Sequence, residues 1–229
     1  QGLKRWRPQG CCEVCRSFDD AAICARCVAR FACAVARCRH CAMPLPTDGA
    51  TCGQCLRAPP AWSRAVAAVD YAFPWDRLIV DFKFHGRLEL VRPLAERLRQ
   101  AVQDAGAERE VDLLLPVPLA PARLAERGFN QAWELARRLG AALRLPAQAD
   151  ALQRPLAGAH QADLPRAERA LNLRGAFLVE PRWRSLLRGR RIALVDDVLT
   201  TGATAREAAT ALLRAGTGAV QVWTVARTP

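Results

Sequence analysis

Two adjacent carboxylates precede a short run of hydroxyl residues near the carboxyl end of the chain. Asp196 and Asp197 follow an apolar run at residues 192–195, which predicts a buried parallel strand that ends at the acids. Good helix formers fill residues 205–215, and Gly216 follows them as a C-cap glycine. The sequence therefore predicts a strand, a loop and a helix, with the acids where the strand ends.

The loop after the acids is suited to an anion. Its backbone N–H groups, short hydroxyls and positive helix end form a site for a phosphate, and its glycine lets the backbone curl around that group. The acids would repel a bare phosphate, so we expect them to accept hydrogen bonds from sugar hydroxyls or to bind a Mg²⁺ that arrives with the ligand. Together these groups predict a site for a ribose 5-phosphate. The loop, here called the threonine loop, consists of Thr200, Thr201, Gly202, Ala203 and Thr204.

The segment VDDVLTTGAT resembles the phosphoribosyl pyrophosphate (PRPP) loop of type I phosphoribosyltransferases. The whole chain is similar to the ComF family, which is associated with competence for DNA uptake. This resemblance implies that Asp196 and Asp197 contact the ribose hydroxyls of PRPP and that the threonine loop holds its 5-phosphate. It also implies an α/β fold with a type I phosphoribosyltransferase-like parallel sheet and flanking helices, preceded by a small N-terminal zinc-binding domain with four-cysteine sites. Acid pairs also follow strands in receiver domains and Walker B motifs, but the chain has no GxxxxGK[ST] sequence.

All ten cysteines lie in the first 55 residues, and eight of them form four CxxC pairs. Two thiolates at this spacing can chelate one Zn²⁺, and two such pairs complete a tetrahedral site. Four pairs can hold two ions, and the spacing leaves open whether the pairs combine sequentially or crosswise. The pairs are Cys12 with Cys15, Cys24 with Cys27, Cys38 with Cys41, and Cys52 with Cys55.

Disulfides and an iron–sulfur cluster are the alternatives to zinc. The first residues do not resemble a secretion signal, so we expect a reducing, cytoplasmic environment that disfavours disulfides. Spacing alone does not separate zinc from an iron–sulfur cluster. The leftover Cys11 and Cys33 are predicted to be small buried residues. We expect a cysteine-rich zinc-binding domain at residues 1–60 and a phosphoribosyltransferase-like domain at residues 61–229.

A proline-rich turn and two arginines suggest where pyrophosphate would lie. A five-residue apolar run, predicted to be a strand, stops at Pro116, Val117 and Pro118. The family resemblance implies that these three residues begin a pyrophosphate-binding loop. Arg123 and Arg127 follow closely, and guanidinium groups bind phosphate oxygens bidentately. An alternative is that both arginines are ordinary surface residues.

Lys83 lies between two phenylalanines where a helix is predicted to end. Its ammonium group could reach the pyrophosphate, or it could belong to a solvated helix face. Residues 145–177 have little periodicity, and the resemblance implies that a loop from this region closes over the site.

The net charge of +12 indicates a polyanionic partner or an anionic substrate, or else only an arginine-rich surface. No apolar run approaches the roughly 18 residues of a membrane span. Two functions fit these residues. One is a phosphoribosyltransferase in which pyrophosphate leaves C1 of PRPP with Mg²⁺, Arg127 and Lys83. The other is a non-catalytic, PRPP-responsive protein that binds single-stranded DNA alongside competence proteins. Transferases of 6-oxopurine bases carry Asp where Thr200 stands, so hypoxanthine or guanine salvage is not expected.

Overall fold

The computed structural model describes residues 10–47, 50–155 and 176–229. Its cysteine-rich segment contains a two-residue antiparallel ladder and two short helices. Helices of seven and five residues are too short to be stable on their own in water, so this segment depends on other interactions. The elements are β1 (Gly10–Cys11), β2 (Phe18–Asp19), α1 (Ala25–Phe31) and α2 (Gly53–Arg57).

The rest of the described chain is built on a four-stranded parallel sheet in the order β3-β8-β7-β4. A small antiparallel pair, β5 with β6, lies apart from it. The strands are β3 (Arg64–Asp70), β4 (Leu113–Pro116), β5 (Leu152–Gln153), β6 (Leu178–Val179), β7 (Arg191–Leu199) and β8 (Ala219–Arg227).

Helices connect the strands and cover the sheet. None of them, in the described ranges, has the length and apolar character that a membrane span requires. Short 3₁₀ turns lie at Leu88–Leu90, Ala107–Glu110 and Pro181–Trp183. The α-helices are α3 (Trp75–Phe84), α4 (Val91–Asp104), α5 (Pro121–Arg127), α6 (Gln131–Leu143), α7 (Arg184–Leu187) and α8 (Ala203–Arg214).

Both faces of the sheet are buried, and β7 shows how. Successive side chains of a strand point to opposite faces. Ile192 and Leu194 pack in the hydrophobic cluster that includes α8, whereas Ala193 and Val195 pack in the cluster that includes α3, α4 and α6. A parallel sheet with helices on both faces is the predicted α/β arrangement, and the fold prediction is confirmed.

The prediction that the strand ends at the acids is wrong. Strand β7 continues through Asp196 and Asp197 to Leu199 because β8 goes on pairing with it along this length. Strand β4 stops earlier, where Pro116 pairs with Val195. Both acids therefore lie on a stretch of β7 that has a strand neighbour on one side only.

Apolar residues of the cysteine-rich segment join the two clusters of the sheet. Cys12, Ile23 and Cys27 belong to the cluster of α3 and α4, and Ala42 belongs to the cluster of α8. Among the described residues, the segment therefore shares its core with the sheet. The domain boundary near residue 60 stays a prediction.

Leu194 tests the packing of the central sheet because its side chain is fully buried. We expect Leu194→Ala to lower the free energy of unfolding by about 2 to 5 kcal/mol, since it removes buried methyl groups and leaves a cavity. Leu186→Ala is the control, because Leu186 is exposed on α7 and should change stability by less than about 0.5 kcal/mol. Urea unfolding at saturating Zn²⁺ measures both, and equal losses would contradict this account of the core.

Candidate functional site

The two acids on β7 have different environments. Asp197 is buried, and the Nζ of Lys83 lies 2.8 Å from its Oδ2. Asp196 is partly exposed, and its Oδ1 accepts a hydrogen bond from the N–H of Asp197 at 2.9 Å. Loss of hydration at the partly buried carboxyl, and then the neighbouring charge of Asp197, raise the pKa of Asp196 well above its ordinary value. A cation or a set of hydroxyl donors near Asp196 would favour its charged form, so the pair is suited to such a ligand.

The threonine loop begins at Thr200, four residues after Asp196, and leads into α8. Gly202 is the N-cap of this helix and has a positive φ of 77°, a conformation that favours glycine. No side chain caps the helix, although the Oγ1 of Thr201 accepts a long hydrogen bond of 3.4 Å from the N–H of Ala203. The side chains of Thr200 and Thr204 are exposed. The loop thus presents hydroxyls and helix-end N–H groups to a ligand, as an anion site requires.

Two cationic groups lie close to the aromatic ring of Phe84. The guanidinium carbon of Arg127 is 4.8 Å from the ring centroid, and the Nζ of Lys83 is 5.8 Å from it. The Nη1 of Arg127 also donates to the Oε1 of buried Gln131 at 3.0 Å. The structure therefore brings Lys83 and Arg127 to one place, with Lys83 also reaching Asp197 on β7.

The segment after β4 is held closely by its neighbours. Val117 donates its N–H to the carbonyl of Val195 at 2.9 Å and accepts a hydrogen bond from the Nδ2 of Asn130 at 3.2 Å. Pro116 and Pro118 have no N–H to offer. Backbone donors for a phosphate therefore begin after Pro118.

The remaining basic residue predicted for this site lies on the next helix. Arg123 is exposed on α5, a helix without buried residues. Its exposure leaves its guanidinium accessible to a ligand. Asn130 fixes the path from this helix into α6, because its Oδ1 caps α6 by accepting from Ala132 N–H at 2.9 Å. The predicted closing loop lies largely outside the described residues, at 156–175.

The eight CxxC cysteines form two separate groups of four, and in each group the ligand atoms lie within 4.8 Å of one another. The pairs therefore combine sequentially, which the spacing had left open. The first cluster contains Cys12, Cys15, Cys24 and Cys27, and the second cluster contains Cys38, Cys41, Cys52 and Cys55.

The sulfur geometry of both clusters fits tetrahedral zinc. A Zn–S distance of about 2.3 Å implies S···S separations of roughly 3.8 Å. The Sγ atoms of Cys15 and Cys24 are 3.7 Å apart, and those of Cys41 and Cys52 are 3.6 Å apart. Burial and the neighbouring sulfurs raise the pKa of the Cys27 thiol to about 12, a penalty that a bound cation removes.

The two cysteines outside the CxxC pairs do not follow the prediction. Cys11 and Cys33 are exposed, so the expectation that they are buried is wrong. Cys11 lies in the short strand β1, whose residues are both exposed, and Cys33 follows the end of α1. Their surroundings therefore leave them as accessible thiols rather than as core residues.

Sequence reasoning missed three residues that contact this site. Phe84 lies near Lys83 and Arg127, the ring of Trp62 lies against Gly202, and the Nη1 of Arg227 donates to the carbonyl of Leu199 at 3.1 Å. A tryptophan just before β3 and an arginine at the end of the last strand carry no motif. The single signal was the pair of phenylalanines around Lys83, which places an aromatic ring next to a cation.

Curated relatives match along nearly the whole chain. DNA utilization protein YhgH of Escherichia coli K12 is 37% identical over 227 residues, which cover 96% of this chain and 97% of that protein. Competence protein F of Haemophilus influenzae is 36% identical over 193 residues, which cover 83% and 84% respectively. The chain belongs to the ComF family. No protein-family model matches this ComF-family chain.

Solved structures align with part of the chain at low sequence identity. A glutamine PRPP amidotransferase from B. subtilis, complexed with ADP and GMP, aligns with a TM-score of 0.42 and 20% identity, covering 63% of this chain and 30% of that one. A purine phosphoribosyltransferase from Pyrococcus horikoshii Ot3 aligns with a TM-score of 0.35 and 15% identity, covering 59% and 83%.

The two clusters predict the metal content of this ComF-family protein. We expect the purified protein to contain two Zn²⁺ per chain, because it has two complete sets of four thiol ligands. Elemental analysis together with titration of free thiols measures this. An iron–sulfur absorption band would contradict the assignment, and so would metal-free protein with oxidised cysteines. Cys33→Ser is the control, and it should leave the zinc content unchanged because Cys33 belongs to neither cluster.

Proposed function

We propose that this chain binds PRPP together with Mg²⁺ at the carboxyl ends of β4 and β7, and that its two cysteine clusters hold structural Zn²⁺. The observation that carries the proposal is the ion pair between Lys83 and Asp197. Asp197 lies on the part of β7 that has a strand neighbour on one side only, and the loop that follows leads into a helix that no side chain caps. A cation, two acids and an open helix end are the groups that a phosphorylated sugar with a pyrophosphate requires.

Each part of PRPP has matching groups in this proposal. The threonine loop binds the 5-phosphate, and Asp196 and Asp197 accept hydrogen bonds from the ribose hydroxyls. Arg123, Arg127 and the segment from Pro116 to Pro118 lie on the pyrophosphate side. Exposed Arg123 provides a charge there, and Arg127 is already oriented by Gln131 and Phe84.

The same groups suit transfer at C1 if the protein is an enzyme. Substitution at this carbon releases pyrophosphate, so negative charge grows on the leaving group, where Arg127 and Lys83 can stabilise it. Mg²⁺, when bound with the ligand, would neutralise part of the charge of the pyrophosphate. Lys83 also pairs with Asp197 at 2.8 Å, which holds this carboxylate in place as an acceptor for a ribose hydroxyl. Catalysis would then rest on orientation and electrostatics.

Substitutions of the acids and substitutions in the threonine loop should weaken the binding of different sets of ligands. In the double variant Asp196→Ala and Asp197→Ala, we expect ribose 5-phosphate and PRPP to bind about 10- to 100-fold more weakly for each lost charged hydrogen bond, which corresponds to about 1.5 to 3 kcal/mol. Inorganic phosphate should bind as in the wild type, because the threonine loop is unchanged. Calorimetry with the three ligands measures this, and wild-type PRPP affinity in the double variant would exclude the acids from the site.

Gly202→Ala should weaken all three phosphorylated ligands together. A methyl group at Gly202 meets a strained positive φ and stands 3.0 Å from the ring of Trp62, so the loop must shift. Gly216→Ala is the matched control. Gly216 also has a positive φ, of 93°, but it lies at the far end of α8, where an added Cβ would meet only the Arg188 side chain, at an ordinary contact distance of 3.9 Å. If both variants weakened phosphate binding equally, general destabilisation rather than the loop would be responsible.

We propose as a second function that the protein binds single-stranded DNA, in keeping with the DNA utilization and competence names of its relatives. A cavity of about 870 Å³ between α7 and α8, here called the basic groove, favours this function. Its charged lining consists of Arg184, Arg188, Arg206, Glu207 and Arg214. Four arginines against one acid make a surface suited to a phosphate backbone.

DNA binding through the basic groove should depend steeply on salt. We expect the triple variant Arg188→Ala, Arg206→Ala and Arg214→Ala to lower the slope of log affinity against log salt by about 2, since each lost contact to single-stranded DNA contributes about 0.7. Arg26→Ala with Arg30→Ala is the comparison, because both arginines are exposed on α1 of the cysteine-rich segment. Fluorescence anisotropy with an oligonucleotide measures the slopes. A change only in the α1 variant would place the DNA on the cysteine-rich segment instead.

A reducing compartment such as the cytoplasm suits a protein that holds Zn²⁺ through cysteine thiolates. Thiolate ligands must stay reduced to hold Zn²⁺, and two further exposed thiols, Cys11 and Cys33, would be vulnerable to oxidation elsewhere.

A further inference from the structure

Three consecutive backbone carbonyls of the second cluster accept hydrogen bonds from residues in or next to the strands β3 and β8. They belong to the turn between the ligands Cys38 and Cys41, together with Cys41 itself. One donor is a backbone N–H, and the other two are side chains. The pairs are Arg39 with the N–H of Ala65 at 2.9 Å, His40 with the Nε1 of Trp62 at 2.5 Å, and Cys41 with the Nε of Arg227 at 2.8 Å.

The first of these side chains also reaches the threonine loop. Trp62 is only 5% exposed, and its indole N–H is committed to His40. The opposite edge of the same ring lies against Gly202, where an added Cβ would stand 3.0 Å from the Cη2 atom. Trp62 therefore spans the distance between a metal-binding turn and the residue at which the loop enters α8.

The second side chain reaches the start of the loop. Arg227, the last residue of β8, donates from Nη1 to the carbonyl of Leu199 at 3.1 Å. Leu199 ends β7 and directly precedes Thr200. The guanidinium group thus joins the carbonyl of Cys41 to the end of the strand that carries both acids.

The threonine loop has few restraints of its own. Gly202 contributes no capping side chain, and the contact from Thr201 to Ala203 is long. Four of the five loop residues are exposed. Contacts from outside the loop must therefore fix its conformation. Trp62 lies against Gly202, and Arg227 donates to the carbonyl of Leu199.

We propose that Trp62 and Arg227 are positioning residues through which the metal-bound second cluster sets the conformation of the threonine loop. Affinity for a ribose 5-phosphate then depends on metal occupancy at Cys38, Cys41 and their partners, although no atom of the cluster touches the ligand. The ligand part of this inference rests on the proposed function, whereas the ordering of the loop does not.

The first cluster provides an internal comparison. There the Nε1 of Trp75 donates to the carbonyl of Phe31 at 2.6 Å, so a buried indole again links a cysteine cluster to the sheet domain. Trp75 begins α3, however, and this helix meets the site at its other end, where Lys83 pairs with Asp197. Both tryptophans thus donate an indole N–H to a backbone carbonyl of the cysteine-rich segment, but Trp62 supports the threonine loop whereas Trp75 supports α3.

The test compares Trp62→Phe with Trp75→Phe. In Trp62→Phe we expect hydrogen exchange at residues 200–204 to rise about tenfold. We expect ribose 5-phosphate to bind about tenfold more weakly, since a displaced loop loses aligned donors. Trp75→Phe should leave exchange at residues 200–204 within about twofold of wild type, because Trp75 supports α3 and not the loop. Zinc content should stay at two ions in both proteins. Unchanged loop exchange in folded Trp62→Phe, or equal changes in both variants, would overturn the inference.

Ligand removal from each cluster tests the role of the metal itself. Cys27 and Cys55 occupy matching positions in the two clusters, and each is 6% exposed. We expect Cys55→Ala to increase exchange in the threonine loop and to weaken ribose 5-phosphate binding by at least tenfold more than Cys27→Ala does. Equal effects of the two variants would overturn the metal dependence. Where a cysteine variant does not fold, the Trp62 comparison still decides whether the second cluster positions the loop.

Failure of the inference and failure of the proposed function give different results. If wild-type protein binds neither PRPP nor ribose 5-phosphate, the proposed function is wrong. Increased loop exchange in Trp62→Phe would still support positioning by the second cluster. If wild-type protein binds both ligands and Trp62→Phe matches it in affinity and exchange, the positioning role is wrong and the proposed function stands.

Discussion

The architecture of the site depends on the early end of β4. Pro116 and Pro118 cannot donate hydrogen bonds, and Val117 makes the last contact across to Val195. Strand β7 continues for four more residues because β8 still pairs with it. This difference in length opens one side of β7 where Asp196 and Asp197 lie.

The opening would be unfavourable without its cation. Two adjacent carboxylates at the edge of a buried sheet repel each other and lose hydration, and the raised pKa of Asp196 reflects both effects. Lys83 compensates for the more deeply buried Asp197 at 2.8 Å. Removal of one partner from a buried ion pair typically costs about 3 to 5 kcal/mol, so Lys83 has a structural role whatever else it does. Its place near the end of α3, beside Phe84, gives the site a fixed positive charge.

The sequence predicted the parts that local patterns determine. The parallel sheet follows from apolar runs such as residues 192–195, and the four CxxC pairs indicated enough thiolates for two zinc sites. The length of β7 was not predictable, because strand pairing beyond Val195 depends on β8 and not on the apolar run. Sequence patterns also could not predict how the CxxC pairs combine or where Trp62 and Arg227 lie, since these features depend on contacts between distant segments. The exposure of Cys33 shows the same limit at a single residue.

The hydrophobic clusters that the cysteine-rich segment shares with the sheet affect how the protein unfolds. Cys12 and Cys27 pack in the same cluster as Leu78 and Phe82 of α3, so two of the thiols that could hold a metal ion also belong to the core of the sheet. Loss of zinc would expose apolar surface of the helices, and melting of the sheet would withdraw the support of the short helices that carry the thiols. This shared packing couples the stability of the cysteine-rich segment to that of the sheet in the described residues. Chelators and heat would then act on the same equilibrium.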